Sequence, residues 1–396
     1  MGLPGIFEVY QLAIGPSTVF TTGALRIGQA FREVLLSSPY RSNYRILVEL
    51  SGNFSKFGRE SNSDQAVIAG LGGFKLEESG ILLKTFYEKI REKGCFPFFG
   101  EFWPFNPESD LIFQDPDIKS QENLIRFHLT SKTGQPVFQA DYYSVGNGLI
   151  TGTGIEDPVM TFPGNSPENL SEIQNILSRE KISLLEYIIS GECHTHRISH
   201  DHFMKRMLVT WKLMMARSAT FPPSGNEQTR AAFYATALSE EILKNRPVIT
   251  APTCSGSAIV PAVLRFFQEK YLFSDEKMAE GLVVGGIFGS LILHRINQAN
   301  NFLSIQSEIA CSAAIASASA VFLIGGSMDE IEMAATMSVM LYSDNNQREK
   351  AFEPKAFTLL NSMMAQTLPS LVDLARFKSG DIFPKFDETL KILFQS

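Results

Sequence analysis

Four histidines near the middle of the chain are the first residues whose spacing could do chemistry. They are His194, His196, His200 and His202. His196 and His200 are four residues apart, so on a single helix they would share a face and could hold a metal ion. No acidic residue follows at the spacing that zinc hydrolases use, and a solvated polar turn is the alternative. We therefore predict no metal site here.

A cysteine and a glutamate are the next candidates for catalysis. Cys254 stands just before a predicted helix, whose N-terminus could lower the pKa of the thiol and make it a nucleophile, although no histidine is tied to it by sequence. Glu308 lies in an otherwise apolar helix, where burial would raise the pKa of its carboxyl and suit it to general acid or base catalysis. The structural alternatives are a small buried side chain for Cys254 and hydrogen bonding across a helix bundle for Glu308.

A hydroxyl-rich stretch near the start is the third feature. Residues 15–21 read GPSTVFT and precede a predicted helix. The hydroxyls of Ser17, Thr18 and Thr21, with the backbone amides at the helix N-terminus, could cradle a carboxylate. Capping of the helix by Ser17 and Thr18 is the alternative.

The elements that must position these residues fall into two halves. Strand patterns cover residues 45–50, 124–129 and 136–143, and helical patterns cover residues 22–36 and 64–71. Beyond a stretch rich in Pro, Gly and Asn, long helices are predicted over residues 171–191, 200–219, 229–244, 257–271, 277–296, 304–324 and 328–341. We expect an α+β domain over residues 1–153, a linker over 154–170 and an all-α helical bundle over 171–396, with the most apolar helices at its centre.

Composition sets limits on the class of protein. The 396 residues carry a net charge of -7 with scattered Lys and Arg, which argues against nucleic-acid binding. The start lacks the pattern of a signal peptide, and the four cysteines are unevenly spaced, so we expect a cytoplasmic protein without disulfides. The apolar stretch 281–293 is too short to span a bilayer, and the stretch 305–326 contains Glu308 and many small residues. No membrane association is expected.

Four segments, in order, resemble the iron-sulfur L-serine dehydratase family. Residues 7–29 (FEVYQLAIGPSTVFTTGALRIGQ) are similar to the family's opening F-x-x-F-x-I-G-I-G-P-S-S-S-H-T-x-G-P-M, and residues 48–71 (VELSGNFSKFGRESNSDQAVIAGL) to V-x-L-x-G-S-L-x-x-T-G-x-G-H-x-T-D-x-A. Residues 142–148 (YYSVGNG) are similar to Y-Y-S-V-G-G-G, and residues 249–264 (ITAPTCSGSAIVPAVL) to V-T-A-P-T-N-G-A-C-G-I-x-P-A-V-L. Their order and spacing make the set strong.

The resemblance implies an N-terminal domain that helps to dimerise the protein and a C-terminal catalytic domain. In the family, three cysteines hold a [4Fe-4S] cluster whose free iron acts as a Lewis acid on the serine hydroxyl while a base removes the α proton. The products are pyruvate and ammonia, and no pyridoxal phosphate is used.

The chain departs from the family at the cluster ligands. Ser257 and Ile305 occupy the positions of the first two cysteines, and residues 341–351 (LYSDNNQREKA), which match the region of the third, contain none. Cys254 and Cys311 stand nearby, but two thiols are too few for a stable cluster. We predict that the protein holds neither an iron-sulfur cluster nor pyridoxal phosphate.

The two family histidines are also replaced. Phe20 stands for the histidine of S-S-S-H-T and Ser61 for that of G-H-x-T-D, and neither side chain can move a proton near neutral pH as imidazole does. Asn147 replaces a family glycine in a tight turn, where a structural role at positive φ is favoured. Ordinary serine dehydration should therefore be absent or very slow.

The resemblance and the departures from it lead to one prediction with alternatives. The predicted catalytic residues are Glu308, Cys254 and Asp64. The predicted substrate-binding residues are Ser17, Thr18, Thr21, Ser61, Ser63, Ser144, Gly146, Asn147, Thr253 and Ser257. We expect a homodimeric, cluster-free lyase that acts on a small amino-acid-like or carboxylate substrate in the inherited pocket. The alternatives are a catalytically silent binding or partner subunit, and a serine dehydratase with rearranged cluster ligands.

Overall fold

The computed structural model describes residues 3–41, 43–76, 82–114, 122–155, 167–216, 226, 229–299, 305–341, 354–377 and 383–394. Its strands are β1 (Leu12–Ile14), β2 (Arg45–Gly52), β3 (Cys95–Phe98), β4 (Glu101–Pro104), β5 (Leu111–Phe113), β6 (Asn123–Thr130), β7 (Pro136–Gly146), β8 (Leu149–Gly152) and β9 (Pro247–Ile249). Its α-helices are α1 (Ile6–Val9), α2 (Gly23–Ser37), α3 (Asn53–Phe57), α4 (Ser63–Leu71), α5 (Leu83–Lys93), α6 (Pro107–Asp110), α7 (Leu170–Glu180), α8 (Leu184–His196), α9 (His200–Met215), α10 (Arg230–Leu243), α11 (Ile259–Tyr271), α12 (Asp275–Ala299), α13 (Ile305–Leu323), α14 (Met328–Met340), α15 (Pro354–Phe377) and α16 (Phe386–Phe394). A π turn, Thr18–Thr22, leads directly into α2.

The chain forms two compact units, which confirms the predicted α+β and all-α fold classes. The α+β unit comprises Ala13–Pro158 with Lys244–Pro247, and the helical unit comprises Met1–Leu12, Val159–Leu243 and Val248–Ser396. Residues 1–12 thus belong to the helical unit, although they precede the α+β strands in the sequence. Residues 244–247 belong to the α+β unit, although they lie between predicted helices of the bundle. The domain limits at 153 and 171 stay a prediction, and most of the predicted linker lies outside the described residues.

The α+β unit is built on a five-stranded sheet of order β5-β2-β6-β7-β8. Only the β5 pairing is parallel, and the other three are antiparallel. The Phe31 ring of α2 stacks on Phe127 of β6 with centroids 4.0 Å apart, which fixes the helix on one face of the sheet. Helix α2 also crosses α4 closely, because a Cβ at Gly28 would lie 2.1 Å from the Val67 carbonyl oxygen. The starts of the two helices also lie side by side, because Ser63 Oγ at the start of α4 donates to the Phe20 carbonyl just before α2.

The helical unit is organised around α13, as its apolar sequence predicted. Every residue from 309 to 321 has 0% exposed surface. Helices α11, α12, α14 and α15 all pack against it. A helix enclosed on every side must be apolar or small all round, which explains the run of Ala and Ser. Any charged group on α13 therefore stands in a strongly desolvating environment.

The helix predicted over residues 171–191 is wrong in one respect, because it is two helices. Helix α7 ends at Glu180, and its C-cap Lys181 has a left-handed φ of 55°. Helix α8 then begins with a capping box in which the Ser183 hydroxyl accepts from the Glu186 backbone and the Glu186 carboxylate accepts from the Ser183 backbone. Helices α15 and α16 follow the last helix that the sequence predicted.

One helix of the described chain, Asp275–Ile296, is long and apolar enough to cross a membrane, and 83% of its apolar window is buried inside the protein. A core helix meets the same criteria, so this is weak evidence for a membrane span. The expectation of no membrane association stays a prediction.

Candidate active site

The hydroxyl-rich π turn of the α+β unit is closed by its own side chains. Ser17 Oγ accepts from the Phe20 amide at 3.1 Å and so caps the turn, as the structural alternative expected. Thr21 Oγ1 accepts from the Ser17 amide at 3.3 Å and donates to the Ser61 carbonyl at 2.8 Å. Thr18 is 2% exposed, and its Oγ1 is a buried atom without a hydrogen-bond partner. Thr18 is therefore the hydroxyl of the turn that is left for a ligand.

The start of α4 lies against this turn. Ser63 Oγ donates to the Phe20 carbonyl at 2.6 Å, which adds to the link between Thr21 and Ser61. Asp64 follows in the first helical turn, and its Oδ1 is buried without a hydrogen-bond partner. Burial is the main cause that raises the pKa of Asp64, while the Gln65 amide and the charge of Arg59 oppose it. The carboxyl is thus more easily protonated than an ordinary aspartate.

The β7–β8 hairpin supplies the third part of the cluster. Ser144 Oγ donates to the Val19 carbonyl at 3.0 Å, and the Asn123 amide holds the Ser144 carbonyl at 2.8 Å. Gly146 and Asn147 have φ angles of 107° and 47°. The hairpin turn thus requires left-handed backbone at Asn147, in keeping with the structural role expected for it.

The structure brings together six of the eight residues predicted for substrate binding in the first half of the chain. They lie in the π turn or in the segments that are hydrogen-bonded to it, and they are Ser17, Thr18, Thr21, Ser61, Ser63 and Ser144. Gly146 and Asn147 lie at the β7–β8 hairpin, and Asp64 follows Ser63 at the start of α4. Phe20, predicted to stand for a family histidine, packs edge-on against Phe54 with centroids 5.6 Å apart. Its side chain is thus held by an aromatic contact.

The helical unit holds Glu308 near the turn that precedes α11. Burial is the largest cause that raises the pKa of Glu308 to about 7, and the hydroxyls of Ser255 and Thr253 oppose the rise. Thr253 Oγ1 is near enough to act on the carboxyl but makes no well-oriented hydrogen bond, and the residue is 4% exposed. Glu308 itself keeps part of its surface accessible despite its depth. The Glu308 carboxyl is thus largely desolvated, but the residue is not completely enclosed by its neighbours.

The turn over residues 251–257 is tied to two helices. Ser312 of α13 donates to the Ala251 carbonyl, and a Cβ at Gly256 would lie 1.8 Å from the Ser312 Oγ, so only glycine allows this approach. Asn361 of α15 donates to the Ser255 carbonyl at 3.0 Å. Ser257 Oγ donates to the Cys254 carbonyl at 2.8 Å, so it closes the turn. The turn that carries Thr253 and Ser255, whose hydroxyls act on the Glu308 carboxyl, is therefore fixed by these contacts.

Both cysteines near Glu308 are fully buried. Cys254 and Cys311 are each 0% exposed. Burial raises the pKa of the Cys311 thiol, and the charge of Glu308 raises it further. Because the Cys254 thiol is not exposed to solvent, its burial favours the role of a small packed side chain. The role of Cys254 as a nucleophile stays a prediction.

Within the described residues, the donor set does not fit a [4Fe-4S] cluster. Such clusters take three or four thiolates, and Ser257 offers a hydroxyl whose proton is already donated. Over the parts of the chain that the structure describes, no three His, Cys, Asp or Glu side chains are grouped to hold a metal ion. Residues 342–351 lie outside the described residues, and of Ile305 only the backbone is described. The absence of a cluster stays a prediction.

The suggestion that His196 and His200 share a helical face is wrong. Helix α8 ends at His196, Arg197 turns left-handed with φ 51°, and Ser199 caps α9, which begins at His200. The two imidazoles therefore project from different helices. His196 lies 3.3 Å from the Glu192 carboxylate, whereas His200 is exposed.

Sequence reasoning missed several residues that shape these sites. Asn361 lies 106 residues from the Ser255 carbonyl that it binds, and no local pattern marks it. Asn245 binds the Gly15 carbonyl from 230 residues away. Ser255 and Ser312 stand beside predicted residues but carry no signal of their own. Their roles arise from contacts distant in sequence.

Comparisons with known proteins match both units. The family model described as the serine dehydratase beta chain matches residues 5–154, and the one described as the alpha chain matches residues 122–342. The chain is 23% identical over 374 residues to an L-serine dehydratase of Haemophilus influenzae, covering 84% of this chain and 82% of that protein. It is 22% identical over 385 residues to an L-serine dehydratase of Streptomyces coelicolor, covering 84% and 81%. It is 24% identical over 374 residues to L-serine dehydratase TdcG of Escherichia coli, again covering 84% and 81%.

Proposed function

The chain belongs to the iron-sulfur L-serine dehydratase family, and we propose that it is a cluster-free lyase in which Glu308 removes the α proton of an amino-acid-like substrate. The observation that carries the proposal is the position of Glu308 at the start of the enclosed helix α13, beside the Ser255 and Thr253 hydroxyls, where burial raises the pKa of its carboxyl to about 7. A general base works best when its pKa lies near the working pH. Glu308 meets this condition without a metal or a histidine.

The proposed reaction is a β-elimination. The Glu308 carboxylate takes the proton from Cα, the C–H electron pair forms the Cα=Cβ bond, and the leaving group departs from Cβ with its bonding pair. The enamine that results tautomerises and is hydrolysed to a 2-oxo acid and ammonia. Ser255 and Thr253 orient the Glu308 carboxyl, because both hydroxyls favour its charged form.

The substrate class follows from what the chain offers the leaving group. Hydroxide is a poor leaving group without a Lewis acid, so unactivated serine should react below detection, whereas a halide or an acyloxy group leaves unaided. For the α+β unit, we infer a separate role in holding a small carboxylate through Thr18, whose buried hydroxyl has no partner, beside the turn that Ser17 and Thr21 close. Each role can be tested by itself.

The decisive experiment compares β-chloro-L-alanine with L-serine, following pyruvate by a coupled lactate dehydrogenase assay. We expect turnover of β-chloro-L-alanine that rises with pH through about 7, as Glu308 loses its proton. Glu308→Gln should lower kcat by a factor of about 10² to 10⁴, the usual contribution of a general base. Glu192→Gln is the matched control, since Glu192 is a buried carboxyl with a pKa also near 7 in a different cluster.

Two results would contradict the proposal. One is unchanged turnover in Glu308→Gln, which would remove Glu308 from the mechanism. The other is release of pyruvate from L-serine as readily as from β-chloro-L-alanine, which would mean that a Lewis acid is still at work.

A second candidate function is a catalytically silent binding subunit. Phe20 favours it, because its packing against Phe54 and Phe57 places an apolar ring where the family has a histidine. In that case β-chloro-L-alanine should bind in calorimetry without pyruvate being released, and Glu308→Gln should leave the affinity unchanged.

A further inference from the structure

The short segment Lys244–Pro247 belongs to the α+β unit although it lies between stretches of the helical unit. Its second residue, Asn245, is 5% exposed and has a left-handed φ of 54°. Asparagine and glycine are the residues that tolerate this backbone conformation best. The segment therefore places one buried amide side chain inside the α+β unit.

The Asn245 side chain is bonded at both ends. Its Nδ2 donates to the Gly15 carbonyl at 2.6 Å, and its Oδ1 accepts from Asn62 Nδ2 at 3.0 Å. Asn62 Oδ1 in turn accepts from Gln65 Nε2 at 3.2 Å. A line of amides thus runs from the start of α4 to the residue two positions before Ser17.

The two ends of this line are the two loops that carry the candidate carboxylate hydroxyls. Gly15 leads into the π turn, which holds Thr18, and Asn62 stands between Ser61 and Ser63. The loops touch each other directly through the Thr21 and Ser63 hydroxyls. Asn245 adds a bond to each loop from a third segment, and only a side chain with a donor and an acceptor at this length can make both.

We propose that Asn245 is a positioning residue that holds the π turn and the Ser61–Asp64 loop at the spacing needed to bind a small carboxylate. This rests on the proposed carboxylate role of the α+β unit. Asn245 touches no substrate and acts through Gly15 and Asn62. Losing it should weaken binding of the carboxylate and leave the proton transfer at Glu308 unaltered.

Two variants separate side chain from backbone. Asn245→Asp keeps an acceptor for Asn62 but turns an oxygen without a proton towards the Gly15 carbonyl. Asn245→Gly removes the side chain and keeps the left-handed backbone without strain. Lys181→Gly is the matched control, because it removes a side chain at another left-handed residue, between α7 and α8.

The first measurement is amide hydrogen exchange of the full chain with sodium pyruvate as the carboxylate probe. In the wild type and in Lys181→Gly, saturating pyruvate should slow exchange in peptides covering residues 13–25 and 58–66. In both Asn245 variants this protection should fall at least tenfold at the same pyruvate concentration. The second measurement is a calorimetric titration with sodium pyruvate, whose Kd should rise about tenfold in both Asn245 variants, while kcat for β-chloro-L-alanine should stay within twofold.

The outcomes distinguish this inference from the lyase proposal. Pyruvate protection that is as strong in the Asn245 variants as in the wild type overturns the inference, and so does a wild type that pyruvate does not protect. A fall in kcat with the Kd for pyruvate unchanged also overturns it. If the variants lose the protection by pyruvate, the inference about Asn245 is supported even when the wild type does not turn over β-chloro-L-alanine. Absence of that turnover would contradict only the lyase proposal.

Discussion

Glu192 should make the folded protein less stable as the pH rises. The residue is 0% exposed on α8, its Oε1 accepts from the Ile6 amide at 2.8 Å, and its Oε2 lies 3.3 Å from His196 Nε2. Burial is the largest cause that raises its pKa to about 7, and the charge of Glu8 adds to the rise, while the Ile6 amide and Arg206 oppose it. The unfolded chain should titrate near the ordinary value of 4.5.

The sign follows from proton linkage. Between pH 4.5 and about 7 the folded state keeps a proton that the unfolded state has lost. The contribution of the protonated Glu192 to the free energy of unfolding is therefore fully present below pH 4.5, and it is lost as the pH rises through about 7. A shift from 4.5 to about 7 corresponds to about 3 kcal/mol, at about 1.4 kcal/mol for each pH unit.

Glu192→Gln tests this directly. Glutamine can still accept from the Ile6 amide but cannot ionise, so the variant should match the wild type near pH 4.5 and exceed it by up to about 3 kcal/mol at pH 8. Urea unfolding followed by circular dichroism across this range measures the difference. Because His196 is present in both proteins, most of its own pH dependence cancels.

Glu240→Gln is the control, since Glu240 is an exposed carboxylate of α10 in the same helical unit. It should show the same pH dependence as the wild type. A stability difference for Glu192→Gln that does not change with pH would refute the reasoning, and so would a variant that is less stable than the wild type at pH 8.

Three further predictions concern packing, cofactor and assembly. Gly256→Ala should destabilise the protein by about 1–3 kcal/mol in urea unfolding, because its Cβ would lie 1.8 Å from Ser312 Oγ, and Ser312→Gly in the same chain should restore part of the loss. Protein purified without oxygen should be colourless and lack stoichiometric iron and sulfide, because Ser257 and Ile305 offer no thiolates. Light scattering should show a homodimer at micromolar concentration.

Each of the three has a result that contradicts it. An undiminished stability of Gly256→Ala would mean that the turn can move away from α13. Broad visible absorption with matching iron and sulfide would mean that other ligands hold a cluster. A monomeric full chain would remove the predicted dimer.

Local sequence pattern determined much of the fold. The strands predicted over residues 45–50, 124–129 and 136–143 lie within β2, β6 and β7, because side-chain alternation follows from one buried sheet face. The uniformly small and apolar stretch of α13 predicted a central helix, and a carboxylate in such a helix was expected to be desolvated. The desolvation of the Glu308 carboxyl could for this reason be predicted from the amino-acid sequence alone.

What only the tertiary structure decided are the contacts between residues far apart in the chain. Asn245 and Asn361 look like ordinary polar residues in the sequence, since their partners lie 230 and 106 residues away. Glu192 stands in a helix whose sequence mixes apolar and polar residues. Its carboxylate is covered by the N-terminal segment, whose Ile6 amide donates a hydrogen bond to it. Periodicity reports which face of an element is apolar but not which distant backbone group will meet a given side chain. The hydrogen bonds that fix both candidate sites therefore arise only in the folded chain.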